Sequence, residues 1–523
     1  MMASRRGTLT GCARRLGLAG AFVFTGAASL SAQDPEAGRA IYDRWCVECH
    51  GEEGLGDGPA AIRMLPQPRD FSQALYQVRT TGSGELPTDS DLLNVLEHGL
   101  PGTTMPSWPA LSDQEKHDVI AYVKSFSQFF EDAAPEPLDF GSDPGGGADA
   151  IEAGRQAYVT LECAACHGAA GRGYGTSAPT LEDWRGLPIR AADLTEAWAL
   201  NGGSSVTDIH TRVLTGLDGT PMPAAIDAMN GGVVSPEEVW QLAHYVASLG
   251  PREEPHVREV VRIGRSTGEL PTDGSNEAWA GVDAFYFPLA GQVIQAPRNF
   301  APTVDGVWVQ GLHDGSDLVL RIRWSDPSRS PDPEWDEWQV KIMTMLDLDG
   351  ADIPAIDSLE APARRPADAF TVQFPFEVPE GSERPYFLMG DGRHPVYLWS
   401  WTSDGGVGEE RGRGLGSVEP LEGHVTGQAT WADGQWTLML RRSIAAEGEG
   451  LTFAEGVPIP IGFFAWDGSS MEEGKRASVS SWYYVLLEQP PSRAVVVTPL
   501  IAILLTGAFG LVLVRRAQSQ SNA

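Results

Sequence analysis

The 523-residue sequence predicts a multidomain protein: two all-α modules related by an internal repeat, an all-β sandwich domain, and one apolar helix at the C-terminus. Three observations predict it. The block AGRAIYDRWCVECHG at 37–51 returns as AGRQAYVTLECAACHG at 153–168. Beyond about residue 265, apolar and polar residues alternate in short runs punctuated by Gly and Pro, the period of half-buried strands. The segment Ala494–Val514 runs 21 residues without a charge, which at about 1.5 Å per residue just spans a hydrocarbon core of about 30 Å.

Residues 1–32 read as an export signal. Arg5, Arg6, Arg14 and Arg15 come first, then an apolar run from Leu16 to Leu30, then a small-residue stretch where cleavage is expected. Cys12 precedes the apolar run, so it does not read as a lipidation site and leaves with the signal. The formal charge of −32 becomes −36 once these four arginines are removed, since the segment holds no acid. So acidic a surface repels nucleic acid and suits partners with a basic patch.

The first module is expected over 33–130 and the second over 150–250. Beyond the CxxCH blocks, GTTMP at 102–106 is echoed by GTPMP at 219–223, and His50 to Met105 and His167 to Met222 are both 55 residues. Ser-Asp-Gln-Glu at 112–115 and Ser-Pro-Glu-Glu at 235–238 carry the pattern of helix N-caps and open the last helix of each module. CxxCH is the attachment signature of c-type haem. Cys46 and Cys49, and again Cys163 and Cys166, would hold a porphyrin through thioethers. His50 and His167 would supply one axial ligand, and the soft sulfur of Met105 and Met222 the other. Pro59 and Pro179 are placed to offer a carbonyl to the second ring nitrogen of each histidine. His98, His117, His210 and His244 read as surface or packing residues.

Both modules therefore resemble class I c-type cytochromes. That resemblance implies two covalently attached haem c groups with both axial positions filled, hence conduction of electrons rather than chemistry on a substrate. The acidic, Pro- and Gly-rich segment 131–149 reads as a solvated linker between them.

Strands are expected at 317–324, 338–346, 436–442 and 478–488, within a β-sandwich of about 265–490. LDLDGAD at 346–352 lacks the spacing of a calcium-binding loop and reads as a hairpin turn. In this half LPTD, PLAGQVIQAP, LVLRIRWSD, PYFLMGDGRHPVYLWSW and GKRASVSSW follow in order. The region resembles the haem-binding gamma-subunit family typified by ethylbenzene dehydrogenase. This resemblance implies a non-covalent b-type haem held between a methionine, here Met389, and a lysine. Only Lys341 and Lys475 occur in this half; Lys475 lies in the matching segment, Lys341 is the competitor, and His313, His394 and His424 are fallbacks expected in exposed loops.

The expected protein is a non-catalytic cytochrome anchored to the cytoplasmic membrane by 494–514. Arg515 and Arg516 would face the cytoplasm and the bulk of the chain the periplasm. Its expected partners are iron-sulfur and molybdopterin subunits of an oxidoreductase complex and a soluble or membrane cytochrome. Two alternatives remain: a dihaem peroxidase or oxidase, which needs an open iron position, and a dihaem relay whose sandwich is a haem-free docking module.

Overall fold

A computed structural model describes residues 33–331, 365–379, 383–445, 450–490 and 493–521. The expected export signal, Lys341, the expected strand at 338–346 and the LDLDGAD segment lie outside the described residues.

Each N-terminal module starts with a helix that crosses its last one. In the first module these are α1 (Pro35–Trp45) and α4 (Asp113–Lys124), with α2 (Val47–His50) and α3 (Asp89–His98) between. In the second they are α5 (Ala148–Thr160) and α9 (Pro236–Ser248), with α6 (Ala164–His167), α7 (Val206–Thr215) and α8 (Ala225–Asn230) between. The expected caps form as reciprocal boxes: Ser112 with Glu115 and Ser235 with Glu238, and equally Thr88 with Asp91 and Ser205 with Asp208. The crossings are close because each carries a glycine. A Cβ on Gly38 would lie 2.0 Å from the Asp118 carbonyl oxygen, and one on Gly154 2.0 Å from that of Gln241. Tyr42 and Tyr158 then reach under the haem-binding turns, their hydroxyls donating to the carbonyls of Gly51 and Gly168, each at 2.7 Å.

The segment between the modules is not a free tether. Leu138 N donates to Thr80 O of the first module at 2.9 Å, while Trp240 Nε1 donates to Phe140 O at 3.1 Å. His244 Nε2 lies 2.8 Å from Asp143 Oδ1. Apolar Leu138 and Phe140 within an otherwise acidic stretch give it something to bury, and it packs along the second module.

The C-terminal half is β-sheet. Its strands are β1 (Val260–Arg265), β2 (Phe285–Pro288), β3 (Ala290–Gly291), β4 (Gly306–His313), β5 (Asp317–Ser325), β6 (Ala369–Pro375) and β7 (Val396–Thr402). They continue with β8 (Gly406–Gly412), β9 (Val418–Pro420), β10 (Thr426–Ala432), β11 (Gln435–Ser443), β12 (Ile459–Trp466), β13 (Ser478–Val479) and β14 (Tyr483–Leu487). The main path runs β10-β11-β5-β4-β1-β14-β12-β6-β7-β8-β9; β1 is parallel to β4 and β14, and the other pairs are antiparallel. Its ends approach each other, with Val407 of β8 against Gly427 of β10. The enclosed core takes Leu318, Leu320, Ile322 and Trp324 of β5, with Trp436, Leu438 and Leu440 beside them on the paired strand β11. The expected strand at 478–488 is broken into β13 and β14, and the Ser480 hydroxyl at the break accepts from Phe463 N at 2.8 Å. A final helix, α10 (Arg493–Ser521), contains a span from Val497 to Ser521 long and apolar enough to cross a membrane, none of it buried.

Candidate haem-binding sites

The two CxxCH turns are the same object built twice. After each motif the chain folds back so that Gly56 N donates to His50 O at 2.9 Å, matched by Gly173 N to His167 O at 2.9 Å. Gly58 N donates to Cys49 O, matched by Gly175 N to Cys166 O. The four cysteines of these motifs are half-buried.

Each histidine has one ring nitrogen engaged by backbone. His50 Nδ1 lies 3.0 Å from Arg69 O, and His167 Nδ1 lies 2.9 Å from Ala192 O. This leaves Nε2 as the nitrogen free to bind iron. Burial lowers both histidines, His50 to about 4, so the imidazoles are neutral as ligation requires.

These carbonyls correct the expectation placed on Pro59 and Pro179. At those prolines the chain is taken up by single 3-10 turns, Ala61–Arg63 just after Pro59 and Ala178–Thr180 containing Pro179, whose bonds are local. It returns later through a turn that sequence reading missed, Arg69-Asp70-Phe71-Ser72 in one module and Ala192-Asp193-Leu194-Thr195 in the other. Asp70 Oδ1 accepts from Ser72 N and Oγ, as Asp193 Oδ1 does from Thr195 N and Oγ1. Phe71 N and Leu194 N anchor the turns to Gly54 O and Gly171 O at 2.7 and 2.6 Å. The shared x-Asp-(Phe/Leu)-(Ser/Thr) pattern was the available signal. It was hidden because the accepting residue lies 19 positions after His50 but 25 after His167.

The methionine loops also superpose in their bonds. Leu100 N donates to Met105 O at 3.0 Å and Met105 N to Thr103 Oγ1 at 3.1 Å. In the second module Leu217 N donates to Met222 O and Met222 N to Thr220 Oγ1, both at 3.2 Å. Met105 and Met222 are half-buried. In the first module Trp45, at the end of α1, meets Trp108, just after Met105, with ring centroids 5.9 Å apart. The cysteine turn and the methionine loop therefore border one space.

The remaining histidines do not compete. His98 is exposed and His117 half-buried, each with Nδ1 on a carbonyl of its own helix. His210 is buried, stacked on Trp240 at 3.7 Å. His394 and His424 are exposed as expected. His313 is not: it ends β4 fully buried, its Nδ1 3.7 Å from Glu455.

In the β region, Met389 is 5 % exposed and has φ +59°, a left-handed conformation that costs energy for a non-glycine residue. The preceding Phe387 and Leu388 line a cleft of about 430 Å³, walled also by Gly291–Ile294 and Val479–Trp482. Lys475 is half-buried at the same end. Its carbonyl accepts from Gln292 Nε2 at 2.8 Å, and its Cε packs on Gly416. Met389 O accepts from Gly414 N at 2.8 Å, so both residues rest on one loop, 412–416.

The two modules are fastened to each other by arginines that sequence reading passed over. Arg79, fully buried, donates to Thr215 O at 2.9 Å and to Asp218 Oδ1 at 2.8 Å; Arg212 returns the contact with NH1 to Gln77 O at 2.9 Å. Arg185 NH2 donates to Pro68 O, one residue before the carbonyl that holds His50. The second module in turn meets the sheet through Arg190, which donates to Pro302 O and Ser470 Oγ, and through Tyr174 to Asp433.

Residues 33–123 match the family described as cytochrome c oxidase, cbb3-type, subunit III, and residues 151–250 match cytochrome c. The chain thus carries two cytochrome c-type domains, which imply covalent haem c, and the cysteine pairs at 46/49 and 163/166 fit. Among curated proteins it is 27 % identical over 218 residues to a Haloferax mediterranei protein provisionally named a respiratory nitrate reductase heme subunit, covering 41 % of this chain and 68 % of that one. It is 25 % identical over 234 residues to the dimethylsulfide dehydrogenase gamma subunit of Rhodovulum sulfidophilum, covering 41 % and 74 %. With the chlorate reductase gamma subunit of Ideonella dechloratans it shares 29 % over 119 residues, 22 % of this chain and 48 % of that one. Among solved structures, a chain of the reducing HAO-like protein complex of Kuenenia stuttgartiensis aligns at 43 % identity over 41 % of this chain and 96 % of that one, with a TM-score of 0.39.

Proposed function

We propose that the protein transfers electrons through two six-coordinate haem c groups, held by Cys46, Cys49, His50 and Met105 and by Cys163, Cys166, His167 and Met222. The observation that carries this is the duplicated bonding: in both modules Nδ1 is committed to a carbonyl and the methionine loop is pinned at both its N–H and its C=O. A ligand that is fixed before the metal arrives is displaced with difficulty, so no site for substrate opens on the iron. Haem supplies one-electron exchange at its iron; the chain supplies neutral imidazole, thioether sulfur and exclusion of water. Low-spin ferric spectra and slow reaction of the reduced protein with CO are expected. Met105→Ala and Met222→Ala should each turn one haem high-spin and lower its potential. Unchanged optical bands in both variants, or rapid CO binding by the parent, would favour the peroxidase-type alternative.

The β region, whose two sheet ends approach across one apolar core, fits a sandwich. We read its 430 Å³ cleft as the seat of a haem b between Met389 and Lys475. Such a cleft is of the size and apolar character of cofactor sites. Acidified organic solvent should extract one haem per chain and leave two, and Met389→Ala should abolish the extractable one. Two haems in total, both resisting extraction, would leave the sandwich as a haem-free docking module. By the names of its relatives, the chain serves as the haem-carrying subunit or relay of a reductase or dehydrogenase complex; the gamma-subunit resemblance extends this reading to a molybdenum oxidoreductase with iron-sulfur and cytochrome partners. Helix α10 would hold it on the outer face of the cytoplasmic membrane.

A further inference from the structure

Three strands of the sheet deliver an aspartate to one buried point. Asp326 follows β5, Asp368 precedes β6 and Asp467 follows β12; one carboxylate oxygen from each lies within 4.8 Å of the others. Their exposures are 0, 0 and 1 %. Like charges so close inside a sheet protein repel strongly unless something positive lies between them. No Lys or Arg fills that role: among the described residues, none forms an ion pair with any of the three.

The surrounding bonds treat these groups as anions. Asp368 accepts from Ser330 N at 2.7 Å, Gly468 N at 3.0 Å and Trp436 Nε1 at 3.1 Å. Asp467 accepts from Ser469 N at 2.8 Å and Ser470 Oγ at 3.1 Å, and Asp326 Oδ1 from Ser328 N at 3.1 Å. A second observation points to a missing partner. Asp326 Oδ2 is fully buried with no hydrogen-bond partner, and the hydroxyls of Ser328 and Ser330 on the same turn are also buried and unpartnered.

We propose that Asp326, Asp368 and Asp467 form a structural calcium site that ties the ends of β5, β6 and β12 together. The donors are all hard oxygens, which suits Ca²⁺ rather than a thiophilic metal. A spread of up to 4.8 Å falls within the diameter of a Ca²⁺ shell, about 4.6–5.2 Å at ligand distances of about 2.3–2.6 Å. Mg²⁺ holds its ligands at about 2.0–2.1 Å and demands a near-ideal octahedron, so it would have to draw the strand ends inward. The site is remote from solvent, so calcium acts on folding and rigidity. Through Ser470, which bonds both Asp467 and Arg190, it also steadies the seat of the second cytochrome module on the sheet.

The test uses the intact, detergent-purified holoprotein. After equilibration with Ca²⁺ and gel filtration, elemental analysis should find one calcium per chain beside the haem iron. Treatment with EGTA should lower Tm, and Ca²⁺ should restore it where equimolar Mg²⁺ does not. Asp326→Asn should remove both the bound calcium and the Ca²⁺-dependent shift, while the exposed control Asp283→Asn keeps them. Two results would overturn the site: no retained calcium with a Tm indifferent to EGTA and Ca²⁺, or an Asp326→Asn variant more stable than the parent in EGTA and Ca²⁺ alike. The second would mean that the buried acids carry protons. Should Asp326→Asn fail to fold, the parent's response to EGTA and Ca²⁺ still decides.

Discussion

At the scale of single residues, what was legible in the sequence was the chemistry that spacing alone encodes. Cys, Cys and His must sit on one short helix to meet one porphyrin, so CxxCH reads directly. The carbonyls of Arg69 and Ala192 did not, because a backbone acceptor carries no side-chain signature. The glycines of the helix crossings show the same limit. Gly38 and Gly154 look ordinary in sequence, yet a methyl group at either would collide with a carbonyl oxygen at 2.0 Å. Gly38→Ala and Gly154→Ala should each cost about 1–3 kcal/mol or more through displaced helices, read as a fall in Tm of the affected module. His210 supplies a pH prediction. Burial against Trp240 lowers it to about 4, with Asp143 acting weakly the other way. An unfolded histidine takes up its proton near pH 6.5, whereas the folded one resists until about 4. Protons in that interval therefore favour unfolding, and stability should fall as pH drops from 6.5 toward 4. His210→Phe should flatten that part of the profile, as measured by thermal melts across the range.

At the scale of elements, the repeat was visible, but one part of its apparent exactness is a cancellation. The 55-residue interval from histidine to methionine is split 19 and 36 in the first module and 25 and 30 in the second. Six residues gained before the Asp turn are lost after it, in the stretch leading to α3 and α7. What holds the interval is the capping box: Thr88 and Ser205 each stand 17 residues before their methionine. Composition misled at 131–149, where Pro, Gly and acids suggested a free linker and two apolar residues were enough to lay it down. The arginine clasp was unreadable because its acceptors are mostly main-chain carbonyls of a distant module. Buried on every side, Arg79 when removed takes the cation from Asp218 and a donor from the carbonyls of Tyr76, Gly82 and Thr215. Arg79→Ala should cost about 3–5 kcal/mol of coupling. Calorimetry should then show the two cytochrome modules melting separately where the parent shows one transition; a single transition at the parental temperature would deny the clasp its role.

At the scale of the whole molecule, charge and connectivity act together. The modules and the sheet are joined end to end by Arg79, Arg185, Arg190 and Tyr174, so electrons entering at one part need not wait for domains to meet. Encounter with an outside partner is then the step left to long-range forces. A formal charge of −32 sets up a field that draws in a basic redox protein and slows an acidic one. Salt screens that field over about 10 Å at 0.1 M, and far less remains at higher ionic strength. The second-order rate of haem reduction by a small basic cytochrome should therefore fall about tenfold or more between low and high salt. An acidic donor should speed up over the same range. The span Val497–Ser521 adds a geometric condition, since its apolar residues lie wholly outside the packed structure. Anchored in vesicles of anionic lipid, the protein shares its negative field with the surface, and a basic partner concentrates there. The salt dependence should steepen relative to a chain ending at Gln489 and studied free in solution. Equal slopes for the two forms, measured by stopped-flow absorbance, would show that the helix does not place the haem domains near the membrane.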